Sequence, residues 1–369
     1  MKKNVLIIGD DFCLERGGVE NTSYLLAEHL NKYFNIITLS PCEGHTLYGV
    51  NSIVSKSKAN SILFVIDSYR IIKKLIKDNK VDYVISMHHK HGVVLSLLKK
   101  KYNIPFGVLT YGDEIIKWRR GSMKTTIAWA IYLPIMKIVL NSANQIFCCS
   151  HYTKTLAQKV TSNKNISVIN PPIGLLPEKD FLKVQSKSYM LSIGRLVERK
   201  GFHNVIKALP QVLEKYPDLK YYVAGDGYYL NELKRLVSEL KITNSVIFKG
   251  KVSEEEKKEL LSNCGVFLMP SFAIPNLTVE GFGLSLLEAN VYGKFVISSR
   301  SGGITDAVVD NVTGFLVKEN DVDSLSDAIL RFYDKDFTYD VSKCVDWAKD
   351  KHISKVAERY YNSIIPLIK

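Results

Sequence analysis

A chain of 369 residues, 46% hydrophobic and 24% charged, is too long for one ordinary domain and suits two, each able to bury its own core. Its net charge of +13 sits almost wholly in the first half: residues 1–180 hold 24 Lys and Arg against 13 Asp and Glu, and residues 181–369 hold 26 against 24. That field suits an anionic membrane or an acidic substrate; no nucleic-acid-binding module is present, so nucleic acid is not an expected partner.

Apolar strand-like runs recur with helical patterns between them. In the first half they are Val5–Ile8, Asn35–Leu39, Tyr83–Ser86, Phe106–Thr110 and Gln145–Cys148. In the second they are Met190–Ile193, Tyr221–Ala224, Ser245–Phe248, Val266–Met269 and Phe295–Ser298. Such alternation means parallel sheets with crossover helices. The run divides at Asn170-Pro171-Pro172, where two prolines stop regular structure. The expectation is an α/β chain of two doubly wound domains, 1–170 and 171–349, facing across a central cleft, with ligands outside the strands' carboxyl ends. The last segment, Val341 to Ile368, carries a helical pattern with Trp347 and Tyr360.

Other signals are local. The start Val5–Ile8 runs into Asp10 and Asp11, which does not read as a signal peptide, and the six cysteines form no Cys-x-x-Cys pair. A reducing cytoplasm, with the cysteines as small core residues, is the expectation. His88, His89 and His91 form the histidine cluster; they read as structural or loop residues, with a place in an acceptor cleft as the alternative, and no metal site is expected. Lys117-Trp118-Arg119-Arg120 and Lys124 flank the apolar stretch Thr126–Leu140. That stretch is shorter than the ~20 residues needed to span a bilayer and is interrupted by Pro134 and Lys137. It fits an interfacial helix on anionic lipid and, equally, a buried domain helix.

The most specific segment is Glu280-Gly-Phe-Gly-Leu-Ser-Leu-Leu-Glu288, two carboxylates flanking glycines and the start of a buried helix. Bare backbone at a helix start offers N–H donors and the positive end of the macrodipole to an anion. A carboxylate does not belong beside a phosphate, so Glu280 and Glu288 are expected to face neutral hydroxyls. Upstream, Gly194-Arg195-Leu-Val-Glu-Arg-Lys200-Gly201 places cations between a strand and a helix, where Arg and Lys can neutralise a diphosphate. Together these describe a nucleotide-sugar site.

These residues resemble the glycosyltransferase family 4 (group 1) enzymes. The resemblance rests on Gly194-Arg195-Leu-x-x-x-Lys200-Gly201, Ala224-Gly-Asp-Gly227, Glu280-x7-Glu288 with its Gly-Phe-Gly core, and Ser301-Gly-Gly303, in that order. Asn311-x-Thr-Gly314-Phe-Leu-Val317 looks like the family's following hairpin, and Gly17-Gly18-Val19-Glu20 like its glycine loop before the first helix.

The resemblance implies the GT-B fold, with two Rossmann-like domains: an acceptor-binding domain, a nucleotide-sugar domain, and a C-terminal helix at about 350–369 packing back onto the first. It implies a retaining, metal-independent transfer of sugar to a hydroxyl, with no cofactor and the nucleotide-sugar as substrate. By resemblance Arg195, Lys200 and Glu280 act in catalysis. Gly17, Gly18, Gly194, Phe282, Gly283, Leu284 and Glu288 would bind the donor, Glu288 through the ribose. The family commonly has a His-Gly pair at the end of a first-domain strand; here Tyr111-Gly112 stands there, which puts a histidine-dependent role in doubt. Tyr111, Asp113 and Glu114 are candidates for orienting acceptor or sugar, with helix capping as the alternative for the two acids.

The expected acceptor is a glycan or lipid-linked glycan in cell-surface polysaccharide assembly, with the enzyme cytoplasmic and peripheral on the inner membrane face. Tyr111 alone favours the alternative of an inactive nucleotide-sugar-binding partner subunit. A nucleotide-sugar 2-epimerase fits the ordered motifs poorly. An oxidoreductase would want Gly-x-Gly-x-x-Gly after the first strand, where Gly9 is instead followed by Asp10-Asp11-Phe12.

Overall fold

The structure, a computed structural model, describes residues 2–12, 17–41, 47, 49–55, 57, 62–116, 123–174, 176, 188–275 and 277–368, without the side chains of Ile62 and of 123–131. The basic run Lys117–Arg120 and the side chains of Lys124 and Trp129 therefore lie outside the described residues. Two compact units result: Met1–Gly174 with Lys351–Lys369, and Leu175–Asp350.

In the first unit the strands are β1 (Asn4–Ile8), β2 (Asn35–Ser40), β3 (Asn51–Val54), β4 (Tyr83–Ser86), β5 (Phe106–Thr110), β6 (Gln145–Cys148) and β7 (Ile166–Val168). Its helices are α1 (Gly18–Leu30), α2 (Ile62–Lys77), α3 (Gly92–Tyr102), α4 (Asp113–Ile116), α5 (Met123–Ser142) and α6 (His151–Val160). The second unit contains β8 (Tyr189–Ile193), α7 (Phe202–Lys215), β9 (Lys220–Ala224), α8 (Leu230–Glu239), β10 (Val246–Gly250) and α9 (Glu254–Asn263). It continues through β11 (Val266–Met269), α10 (Leu284–Val291), β12 (Phe295–Ser299), α11 (Ile304–Ala307), β13 (Gly314–Val317), α12 (Val322–Tyr333) and α13 (Val341–Asp350). The chain then returns to the first unit as α14 (Ile353–Ile364).

Both sheets are parallel, in the orders β3-β2-β1-β4-β5-β6-β7 and β10-β9-β8-β11-β12-β13. Strand order reverses between β1 and β4, and between β8 and β11, and ligands of doubly wound sheets bind at such points. The central strands β4 and β5 are buried throughout because helices cover both sheet faces.

Alternate residues divide between two cores. Leu6 and Ile8 pack under α2, α3, α5 and α6, while Val5 and Ile7 pack under α1 and α14. Helix α14 buries Ile353, Val356, Ala357, Tyr360 and Ile364, the helical spacing of one apolar face. Tyr360 meets Phe147 at 4.8 Å between ring centroids.

Three strands differ from the sequence reading. β3 and β7 are short edges without a fully buried residue, so no continuous apolar run marks them. Gly314–Val317 is no hairpin arm: it follows α11 as a crossover and pairs parallel with β12.

Candidate functional site

The second unit gathers its polar chemistry where strand order reverses. After β8, Gly194 donates to the Ala224 carbonyl at 3.0 Å, and the chain runs through Arg195 into a 3-10 turn at Glu198–Lys200. Gly201 closes that turn at φ 75, in the left-handed region glycine tolerates best. A Cβ there would lie 2.1 Å from the Pro270 carbonyl oxygen. The Phe272 N–H also donates to the Arg199 carbonyl at 2.9 Å, so this loop is fixed against the exit of β11.

On that support Glu280 Oε2 accepts hydrogen bonds from Arg199 Nη1 and from Lys200 Nζ, both at 2.6 Å. All three side chains are only 13% exposed. Beyond the sequence reading of a carboxylate that faces neutral hydroxyls, Glu280 through Oε2 is the shared counter-charge of two cations, which a largely buried cation pair requires. Burial pushes the Glu280 pKa up, but Lys200 and Arg199 outweigh it and hold it at about 2. Two cations on one carboxylate leave a net positive charge. Accordingly burial, together with the repulsion of Arg199 and Arg195, lowers the Lys200 pKa against the pull of Glu280. Arg195 itself is exposed. Sequence reasoning did not single out Arg199; its place in the same basic run was the available signal.

The Ser301-Gly302-Gly303 loop buttresses Glu280 from behind. Gly303 N–H donates to the Glu280 carbonyl at 2.9 Å, and a Cβ on Gly302 (φ 50) would stand 2.6 Å from that oxygen. Immediately beyond, Gly283 is the N-cap of α10, with Leu284 its first residue and Phe282 buried beneath. The α10 amino terminus therefore lies beside the Glu280 loop, with the macrodipole's positive end. One turn on, Glu288 Oε1 accepts from Lys257 Nζ of α9 at 2.9 Å. Burial opposes the charge on Lys257, but Glu288 and Glu254 raise its pKa above the usual lysine value.

The other candidates belong to the first unit. Gly17 is the N-cap of α1, with extended backbone at φ 168, and Gly18 opens the helix. At the end of β5 the Tyr111 N–H donates to Glu114 Oε1 at 2.7 Å, so Glu114 closes the short helix α4, whose first residue is Asp113. Among the described residues the buried Tyr111 hydroxyl finds no hydrogen-bond partner, and its ring lies 5.9 Å from that of His88.

The loops after β1 and β4 meet through Asp10, which sequence reasoning missed. It accepts from Lys90 Nζ at 2.5 Å and lies 3.2 Å from His91 Nε2 and 3.5 Å from His88 Nε2. Burial works against its charge, but His91, His88 and Lys90 hold it well below the usual carboxylate range, while burial lowers His88 to about 4. Among the described residues no group of three His, Cys, Asp or Glu is placed to hold a metal ion.

Glu114 yields a pH prediction. Burial raises its pKa from 4.5 to about 7. A carboxyl raised on folding contributes no penalty below its unfolded pKa, destabilises progressively as pH rises from that value to the folded one, and adds nothing further above it. Melting temperatures of the Glu114→Gln variant should therefore gain on the parent between about pH 4.5 and 7; parallel curves would refute the assignment.

The family described as Glycosyl transferases group 1 matches residues 178–351, and that described as Glycosyltransferase Family 4 matches residues 16–175. The GDP-mannose-dependent alpha-(1-6)-phosphatidylinositol monomannoside mannosyltransferase of Mycolicibacterium smegmatis is 30% identical over 219 residues, 55% of this chain and 57% of that protein. The putative colanic acid biosynthesis glycosyltransferase WcaL of Escherichia coli K12 is 31% identical over 162 residues, 44% of this chain and 40% of that one. The chain thus spans about half the length of these two relatives. The crystal structure of Anabaena HepE in complex with UDP and glucose superposes with a TM-score of 0.74 at 17% identity, over 99% of this chain and 100% of that chain. That likeness, with the two parallel-sheet units, establishes a GT-B fold.

Proposed function

This chain belongs to the glycosyltransferases of group 1 and family 4, and from that premise we propose that it is a retaining glycosyltransferase. In this reading a nucleoside-diphosphate sugar is the donor, and a hydroxyl of a glycan or lipid-linked glycan is the acceptor. The bond from the anomeric carbon to the phosphate oxygen breaks, and a bond to the acceptor oxygen forms on the same face. The acceptor's proton passes to the departing phosphate oxygen, so no protein nucleophile and no metal is required.

The observation that carries the reading is the Arg199–Glu280–Lys200 cluster beside the α10 amino terminus, which holds excess positive charge in a largely buried place. The departing diphosphate gains negative charge, and preorganised cations and N–H groups stabilise it most where water is scarce. Lys200, Arg195 and the amides of Phe282, Gly283 and Leu284 are assigned that task. Glu280 takes both cations on Oε2, which leaves Oε1 to accept from a sugar hydroxyl. Glu288, oriented by Lys257, is assigned the ribose. Gly17 and Gly18 give the first unit a bare helix start for donor phosphates or acceptor, and Tyr111, Asp113 and Glu114 are its candidates for orienting hydroxyls. The colanic acid biosynthesis in the name of WcaL supports a cell-surface polysaccharide as product.

A thermal-shift screen with UDP, GDP, ADP and their common sugars, with and without EDTA, tests the donor side. A ligand at about 100 times its Kd should raise stability by about 2.7 kcal/mol. A selective shift that EDTA leaves unchanged is expected. No shift with any nucleotide, or a shift abolished by EDTA, would overturn the proposed donor site or its metal independence respectively. Product anomeric configuration, read by NMR, tests retention.

A further inference from the structure

The first unit carries a second group of polar side chains at the end of its sheet away from the strand-order switch. β1, β2 and β3 each open on asparagine: Asn4, Asn35 and Asn51. The register sets Asn4 opposite Asn35, and Asn51 opposite Ile37. With Asn31, the C-cap of α1, and Lys80, which precedes β4, they line a cleft of about 310 Å³ over the buried Ile36 and Ile37. Asparagine is depleted in strands, so sheet formation does not call for this row. The volume falls at the small end of the about 300–1,000 Å³ typical of small-molecule sites, which are mostly apolar. This one is walled by amides.

Some of those amides are fixed by the chain. Asn35 Nδ2 donates to Asn4 Oδ1 at 3.0 Å and to the Lys2 carbonyl at 3.3 Å. Asn31 Nδ2 donates to the Gly49 carbonyl at 3.1 Å, and its Oδ1 accepts from the Ile36 N–H at 3.4 Å. Among the described residues, Asn4 Nδ2, Asn35 Oδ1 and the whole Asn51 amide are left without a partner. Two of these groups donate and two accept, which complements hydroxyls, each able to do both. The charge balance does not favour an anion. Asp82 accepts from the Asn4 N–H at 2.7 Å and Asp78 stands 4.0 Å from Lys80, so Lys2 and Lys80 are matched by two acids. We infer that this cleft is a second carbohydrate site, which takes a neutral sugar ring by its hydroxyls and uses none of the residues assigned to transfer.

Among the described residues no aromatic ring lines the cleft, so stacking adds nothing. A few neutral hydrogen bonds then give weak binding, on the order of 1 mM. Weak binding suffices for a polymer. β1 spans five residues, which puts the cleft about 13 Å or more from the switch end of the sheet. A glycan with its growing end at the switch and an earlier ring in the cleft makes the second contact intramolecular, at an effective concentration in the millimolar range. The glycan is thereby retained between transfers. That role rests on the transfer reading; the site itself does not.

Saturation-transfer difference NMR on the full chain, without nucleotide, tests the site. The probes are the methyl glycosides of mannose, glucose, galactose, N-acetylglucosamine and rhamnose. Saturation of at least one is expected, unchanged by added UDP or inorganic phosphate. The signal therefore stands even where no nucleotide binds and the transfer reading fails. Asn51→Ala should weaken binding about tenfold, and Asn51→Ala/Lys80→Ala by a further about fivefold. Both side chains are exposed, so the melting temperature should not change. Silence from all five glycosides, displacement by phosphate, or an Asn51→Ala variant that binds like the parent would overturn the proposal.

Discussion

Glu280→Gln should lower transfer by at least about 100-fold and also destabilise the second unit. The catalytic loss follows from geometry. Gln keeps the shape of the side chain but presents a neutral amide to Arg199 and Lys200, which now repel each other and shift from the positions they hold at 2.6 Å. Losing one positioned donor to a developing anion typically costs about 2.7–4 kcal/mol of transition-state stabilisation, and this substitution displaces the cations that Glu280 holds. The stability loss has a pH signature. Folding holds Glu280 at about 2 against an ordinary value of 4.5, so its contribution is present above about pH 4.5 and is lost as pH falls towards 2. Melting curves of parent and variant should therefore differ most at neutral pH and converge in acid. Breaking a buried pair costs about 3–5 kcal/mol at full burial, and the residual exposure of this cluster puts the expectation nearer about 2 kcal/mol. Near-parental turnover with a changed melting temperature would leave Glu280 as structural support and remove it from the chemistry.

Much of this architecture is legible in the sequence because parallel strands covered on both faces must be continuously apolar. Val5–Ile8, Tyr83–Ser86, Phe106–Thr110 and Val266–Met269 announce themselves in that way, and the structure places β1, β4, β5 and β11 on them. Edge strands lack the pressure. Asn51–Val54 has no fully buried residue, so nothing in its composition separates it from a loop. The site is less legible for a different reason. Sequence locates Lys200 and Glu280 as candidates, but the partner of Glu280 depends on how a 3-10 turn rotates the run from Arg195 to Lys200. That turn brings Arg199, not Arg195, onto the carboxylate. The pairing joins residues 81 positions apart, as does that of Asp10 with His91. Such contacts follow from adjacency of β8 with β11 and of β1 with β4, which no local pattern encodes.

The same dependence on loop geometry makes Gly201→Ala the second large effect, although no polar group is touched. Two costs combine. Alanine at φ 75 carries the left-handed penalty of about 1–2 kcal/mol. Its Cβ would also lie 2.1 Å from the Pro270 carbonyl oxygen, a backbone atom that cannot rotate away. The loop must therefore move off β11 and carry Lys200 and Arg199 with it, breaking the 2.9 Å bond from Phe272 to Arg199. A shift of about 1 Å in a positioned group is enough for a loss of about 100-fold. Gly250→Ala separates the two costs, because its φ of 68 is almost the same while nothing lies within 4 Å of its Cβ. That variant should lose only the conformational part, about 1–2 kcal/mol, and keep turnover within about twofold. If both alanine variants behave alike in denaturant melts and in sugar transfer, the contact with Pro270 is not what holds Lys200 and Arg199 in place. Their positions would then have to come from Glu280 alone.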